Sequence, residues 1–114
     1  MTYSQKLRKV RDALLSVSGY VYHYRKPENV KTAPWIVWQE DGEGMTGAAD
    51  NRRLPYQTAH GTIDLFTLTE YDETVDAIQN ALDNADGIAW RLNSVQYEDE
   101  TNLIHYEWEF DCLG

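Results

Sequence analysis

The chain has 114 residues, of which 42% are hydrophobic and 25% charged, and its formal net charge at neutral pH is −9. This length predicts a single domain, and the negative charge argues against nucleic acid as the main partner, because phosphate binding needs clustered Lys and Arg. The lone Cys112 excludes an internal disulfide. The sequence shows neither a secretion signal nor an apolar run long enough to span a membrane, so we expect a soluble protein of the cytoplasm.

Charge is distributed unevenly along the chain. Residues 1–31 hold seven Lys or Arg against two acids, whereas residues 32–114 hold three Arg against 17 acids. A basic segment and an acidic body could steer copies of the protein together head to tail. The ordinary alternative is a solvated basic helix face.

The first element is predicted to be an amphipathic helix from Thr2 to Ser18. Thr2 and Gln5 have the spacing of a capping box, and Gly19 follows where a left-handed C-terminal cap is expected. The apolar stripe recurs at steps of three and four residues and consists of Tyr3, Leu7, Val10, Leu14 and Val17.

Two strands and a long loop are predicted next. Tyr20–Tyr24 is aromatic and β-rich, and Trp35–Trp38 is a short apolar run that follows Pro34. Residues 41–55 are rich in glycine and short polar side chains, which indicates a long mobile loop or a protruding hairpin arm.

A third strand and a second helix are predicted to follow. Tyr56–Leu68 is expected to be a long strand with Ile63 and Leu65 on one face. Thr69 is expected to cap the helix, which would end at Asp86-Gly87. Its predicted apolar stripe is Tyr71, Val75, Ile78 and Leu82.

The last part of the chain has the pattern of a β-hairpin. Ile88, Trp90 and Leu92 alternate with other residues, and so do Ile104, Tyr106, Trp108 and Phe110, with a polar turn over Glu98–Asn102. The predicted order is α-β-β-β-α-β-β. We therefore expect one α+β domain over residues 1–114, a two-layer sandwich of two amphipathic helices on an antiparallel or mixed sheet.

Residues that could carry chemistry are few. His23, His60 and His105 lie on different predicted strands, and Cys112 has the opposite parity to His105, so the side chains of these two point to opposite faces of the strand. Ordinary strand residues are the favoured interpretation. We expect no enzymatic activity, no catalytic residue, no metal and no cofactor, and we interpret Glu98-Asp99-Glu100 as a solvated turn.

Several segments resemble the tail terminator proteins of long-tailed bacteriophages, also called tail completion proteins. The resemblance lies in His60–Thr67 with the acidic helix that follows, in Pro34–Trp38, in Ala49-Asp50-Asn51, and in the hairpin from Trp90–Ser94 to His105–Trp108. It covers roughly the whole chain and concerns the fold, because the family has no residue-level active site to carry over.

The resemblance implies an α+β virion protein of a phage or prophage that forms a hexameric ring. Such a ring caps the tail tube at its head-proximal end, stops tube polymerisation and offers a surface for head–tail joining. The implied partners are further copies of the chain, the major tail tube protein and the head–tail connector protein. The host cytoplasm is the implied place of assembly.

From the residues themselves we expect the interface to include charged and apolar groups of the 41–55 loop and the basic N-terminal helix. The candidates for subunit or tube contacts are Asp50, Arg52, Arg53, Leu54, Tyr56, Lys6 and Lys9. Rival interpretations are another connector or minor tail component, and a small non-viral adaptor that binds a peptide at its sheet edge.

Overall fold

The computed structural model describes residues 1–44 and 57–113 of the chain. The elements follow the predicted order α-β-β-β-α-β-β, so the predicted α+β fold is confirmed. Their bounds are α1 Tyr3–Leu15, β1 Val21–His23, β2 Trp35–Gly44, β3 Thr58–Thr67, α2 Glu73–Asn84, β4 Ile88–Glu98 and β5 Leu103–Cys112.

Helix α1 begins where the sequence predicted. The Thr2 hydroxyl accepts a hydrogen bond from the Gln5 amide at 3.1 Å, and the Gln5 side chain accepts one from the Thr2 amide at 2.8 Å. These two bonds form a complete capping box. The end was predicted wrongly, because the helix stops at Leu15 with Ser16 as its C-cap, and Gly19 is not in the left-handed region.

The five strands form one mixed sheet in the order β1-β2-β3-β5-β4. Strand β1 runs parallel to β2, and the other neighbouring pairs are antiparallel. The predicted strand Tyr20–Tyr24 is shorter than expected, since Tyr24 leaves the strand with a φ of 75°. Strand β3 lies at the centre of the sheet and contacts both β2 and β5.

Both helices pack on one side of the sheet and form the core with it. The fully buried helix residues are Val10, Leu14, Ile78 and Leu82, which lie in the two predicted apolar stripes. They meet sheet residues of the same side, namely Ile36, Trp38, Ala59, Ile63, Leu65, Trp108, Phe110 and Cys112. The period-2 pattern of β5 thus faces the helices, as predicted.

Helix α2 begins three residues later than predicted. Asp72, not Thr69, is its N-cap and accepts a hydrogen bond from the Thr74 amide at 2.8 Å. The other Asp72 oxygen accepts from the Thr67 hydroxyl at 2.5 Å, which ties the cap to the end of β3. Tyr71 therefore lies outside the apolar stripe, 88% exposed and with a φ of 58°.

The segment 41–55, predicted to be a mobile loop or a protruding hairpin arm, begins as part of an antiparallel strand pair. Residues 41–44 continue β2 past a bulge at Asp41 and pair with the start of β3, as in Gly44 opposite Thr58. Residues 45–55 of that segment lie outside the described residues.

Replacing Leu14 by Ala tests the helix-to-sheet packing. Leu14 is fully buried, so the substitution should lower the free energy of unfolding by about 2–5 kcal/mol. Leu15→Ala is the matched control, because Leu15 is 48% exposed and should cost less than about 0.5 kcal/mol. Equal losses in urea unfolding would mean that this face of α1 is not in the core.

Position 61 requires glycine, because the backbone of β2 passes very close to it at the centre of the sheet. A Cβ there would lie 2.1 Å from the Gln39 carbonyl oxygen and 2.8 Å from the Glu40 Cα, and backbone atoms cannot move aside cheaply. Gly61→Ala should therefore destabilise the protein by about 1–3 kcal/mol in urea unfolding. Gly19→Ala is the control, since a Cβ at Gly19 meets nothing within 4 Å. If Gly61→Ala is as stable as Gly19→Ala, the β2 backbone does not exclude a side chain at position 61.

Candidate interaction surfaces

The sequence-predicted interface residues fall into two groups. Asp50, Arg52, Arg53, Leu54 and Tyr56 lie outside the described residues. The other two, Lys6 and Lys9, lie on α1.

Lys6, which the sequence suggested as an interface residue, is buried within its own chain. It is only 4% exposed, and its ammonium group donates a 2.7 Å hydrogen bond to the Gln57 carbonyl oxygen. The long aliphatic stem packs into the protein while the charge reaches a backbone acceptor. Lys6 thus anchors α1 to the start of β3 and has almost no surface to offer a partner, whereas Lys9 is half-buried.

The side of the sheet that faces away from the helices, here called the open face, carries a row of rings. Trp35 on β2 stacks on Phe66 on β3 with ring centroids 5.6 Å apart, and Phe66 stacks on His105 on β5 at 4.3 Å. The Lys26 ammonium lies 4.9 Å from the Trp35 ring centroid, at cation–π distance. The row crosses three strands and stiffens this face without any helix above it.

Next to this row the open face is acidic. Asp64 on β3 is 2.7 Å from the Nε2 atom of His105 and is paired with Glu107 on β5. Burial raises the pKa of Asp64, the hydrogen bond and charge of His105 oppose the rise, and Glu107 adds to it. Further along β5, Glu109 forms an ion pair with Arg91 at 2.7 Å.

His60 is held by a carboxylate at the bulge of β2. Its Nδ1 atom lies 2.6 Å from an Asp41 carboxyl oxygen. This hydrogen bond raises the pKa of His60, burial opposes the rise, and the charges of Asp41, Asp111 and Glu109 add to it. A protonated His60 thus partly neutralises the surrounding acids.

A second polar cluster lies at the β1 edge of the sheet. One Glu40 carboxyl oxygen is 2.7 Å from His23 Nε2, and the other accepts from the Tyr24 hydroxyl at 2.5 Å. Burial alone would raise the pKa of Glu40, but the hydrogen bonds from Tyr24 and His23 outweigh it and lower the pKa. His23 also stacks on Trp38 at 4.1 Å, so the cluster fastens β1 to β2.

The described residues contain neither a metal-binding cluster nor a membrane-spanning helix. Among residues 1–44 and 57–113, no group of three or more His, Cys, Asp or Glu side chains could hold a metal ion. Neither α1 nor α2 is long and apolar enough to cross a membrane.

The far end of the β4–β5 hairpin carries the main exposed apolar surface. We define the hairpin-tip surface as Leu68, Val95, Tyr97 and Ile104 together with Glu70 and Asn102. These residues line a groove of about 520 Å³ on the helix side of the sheet. Leu68, Val95 and Tyr97 are each more than half exposed. This amount of uncovered apolar area on a short chain is typical of an interaction site.

This surface is not evident from the sequence, because β4 contains a bulge. Residues 88, 90 and 92 have even parity, but the register shifts between Leu92 and Ser94, so the odd-numbered Val95 and Tyr97 return to the helix side. A β-bulge inserts one residue and reverses the alternation beyond it. The sequence does contain a sign of this bulge. Apolar residues fall at even positions in Ile88, Trp90 and Leu92 but at odd positions in Val95 and Tyr97.

Comparisons with known proteins support the fold and leave the family open. No protein-family model matches the sequence, and no curated protein is significantly similar to it. Among solved structures, the chain is similar to a chain of a structure described as the virion of a native gene transfer agent particle. The TM-score is 0.56 and the identity 15%, over 96% of this chain and 89% of that one.

A second solved structure, a crystal structure from Akkermansia muciniphila, matches less well. Its TM-score is 0.45 at 8% identity, over 96% of this chain and 50% of that one. The gene transfer agent match, at its low identity, shows that this arrangement of two helices and five strands occurs in another protein.

The contact between Asp41 and His60 should make the stability of the protein depend on pH. Asp41→Asn removes the charged acceptor and should lower the pKa of His60, which an NMR titration of its ring protons measures. A raised folded-state pKa stabilises the protein fully below the unfolded value of about 6.5, and this contribution disappears as pH rises through the folded value. The stability advantage of the unmodified protein over Asp41→Asn should therefore be full below about pH 6.5 and shrink as the pH rises above it.

Asp12→Asn is the control for this prediction. It removes the same charge from an exposed position on α1, where Asp12 pairs with its neighbour Arg11. If both Asn variants shift the His60 titration equally, the hydrogen bond to Asp41 is not the cause.

Proposed function

We propose that the chain is a non-enzymatic structural subunit of a phage-like particle and acts as a tail terminator. The observation that carries the proposal is the fold likeness to a chain of the gene transfer agent virion, which extends over nearly the whole length of both chains. The sequence resemblance to tail terminators points to the same class of protein. In this role copies of the chain close into a ring on the last layer of the tail tube.

The surface chemistry of the described residues supports an assembling protein. Among the described residues, large apolar side chains are exposed at the hairpin tip and at both ends of α1. A ring requires two different faces on each subunit that fit one another, because the contact is repeated by rotation. The uneven distribution of basic and acidic residues along the sequence supports two faces of opposite charge.

The first test is the mass of the purified full chain, measured by native mass spectrometry across a range of concentrations. We expect one discrete closed oligomer above a threshold concentration, with a hexamer at six times the 13.2 kDa chain mass. A protein that stays monomeric at every concentration, and also in the presence of tail tubes, would refute the ring.

The second test separates termination from neighbouring roles in the particle. A particle assembled without this chain should carry tail tubes of uncontrolled length, because nothing stops the addition of tube protein. Tubes of normal length that fail to join heads would instead assign the chain to a connector.

A peptide-binding adaptor is the second candidate, and one observation favours it. Strand β4 is an edge strand of eleven residues with no described strand on its outer side, and an extended peptide can pair with such an edge. Crosslinking of the monomeric chain to an extended peptide along β4, with no ring formed, would support this function over the proposed one.

A further inference from the structure

The hairpin-tip surface is apolar at its centre and acidic at its rim. Leu68, Val95 and Tyr97 form the exposed centre. The rim consists of Glu70 and of Asp99 and Glu100 in the hairpin turn, all exposed, and there is no Lys or Arg between residues 92 and 104. None of these three acids forms a hydrogen bond or an ion pair through its side chain with a described residue. The surface therefore suits a partner with an apolar side chain and unpaired positive charge.

The outer side of α1 has the matching chemistry. Ser4, Arg8, Arg11 and Leu15 are exposed and recur at steps of four, three and four residues, so they form one stripe along the helix. Arg8 has no hydrogen-bond or ion-pair partner among the described residues. Arg11 pairs only with its exposed neighbour Asp12, and such pairs exchange easily. Leu15 adds an apolar side chain at the end of the stripe.

Among the described residues, no hydrogen bond or ion pair joins this stripe to the hairpin tip of its own chain. The stripe lies roughly a third of a turn around α1 from Val10 and Leu14, which are buried against the sheet, so it is open to a second molecule. Because the two surfaces differ, a contact between the stripe of one molecule and the tip of another is heterologous, and repetition of it gives a ring or a filament.

We infer that the hairpin-tip surface of one subunit binds the Ser4–Arg8–Arg11–Leu15 stripe of a second copy of this chain. The inference rests on the proposed function and assigns the two faces that close the ring. Leu15 inserts among Leu68, Val95 and Tyr97, while Arg8 and Arg11 pair with the acidic rim. An amphipathic helix seated in an apolar groove is a common form of recognition.

Charge exchange between the two surfaces tests this contact. The tip variant carries Glu70→Lys with Glu100→Lys, and the stripe variant carries Arg8→Glu with Arg11→Glu. Each variant should raise the concentration needed for half-assembly about tenfold or more, because like charges then face each other. The chain with all four substitutions should recover most of the loss, which a merely structural defect in either variant would not allow.

Mixing the two variants tests that the faces are different. In an equimolar mixture, each variant supplies the face that the other lacks. Substituted tip and substituted stripe also carry opposite charges, so mixed oligomers should form at concentrations where neither variant assembles alone. Native mass spectrometry identifies them if one variant carries a mass label. A mixture that assembles no better than its components overturns the inference.

A matched control isolates the apolar centre. Tyr97 is 59% exposed and Tyr20, outside the groove, is 58% exposed. Tyr97→Ser should weaken assembly and Tyr20→Ser should not. Because the Tyr97 hydroxyl also donates a 2.8 Å hydrogen bond to Asn102, Tyr97→Phe, which removes only this bond, should assemble normally. If Tyr20→Ser weakens assembly as much as Tyr97→Ser, the groove is not the binding site.

The outcomes separate this inference from the proposed function. A ring that forms equally well in all variants leaves the terminator role standing and overturns the assigned contact. The same holds if the tip variant forms rings but no longer joins the particle, since the groove then receives another virion protein. A chain that never assembles overturns both.

Discussion

Two short helices must cover the apolar side of the sheet. Strands β2 to β5 are each much longer than either helix. Helix α1 has 13 residues and α2 has 12, which gives lengths of about 18–20 Å at the rise of an α-helix. Strand β4 has 11 residues, or about 36 Å at the rise of a β-strand. The helices therefore bury the base of the hairpin and leave its far end bare. Burial therefore decreases along β4, from the buried Ile88 at its start to the exposed Tyr97 near its end.

This mismatch explains why the molecule has two distinct kinds of sheet surface. On the open face, polar and aromatic side chains satisfy each other across strands, as in the row from Trp35 to His105. At the hairpin tip, apolar side chains face a side where a helix would normally lie. A second molecule can supply that helix, and the exposed side of α1 is the one whose charge fits the acidic rim.

The sequence predicted those features that depend on neighbours along the chain. The capping box of Thr2 and Gln5 and the alternation of β5 are local patterns, and both are confirmed. The start of α2 could not be read locally, because Thr69 and Asp72 are both good caps and the choice was decided by the hydrogen bond between Thr67 and Asp72. The burial of Lys6 depends on the Gln57 carbonyl oxygen, which is 51 residues away in sequence. The hairpin-tip surface was hidden by a single inserted residue at Asn93, which changes which side chains share a face.

A small apolar patch with a charged rim is sufficient for a ring although it would be weak for a dimer. In an open row of subunits the last contact joins two ends that are already linked, so it forms at a high effective concentration and costs little further entropy of association. In the proposed contact, the charged rim would contribute mainly to the rate and specificity of encounter, and the apolar centre would set how long each contact lasts. A weak single contact also keeps free subunits from closing prematurely. Under the proposed function, the end of the tail tube would then supply the local concentration at which closure becomes favourable, so that rings form where a tube has to stop.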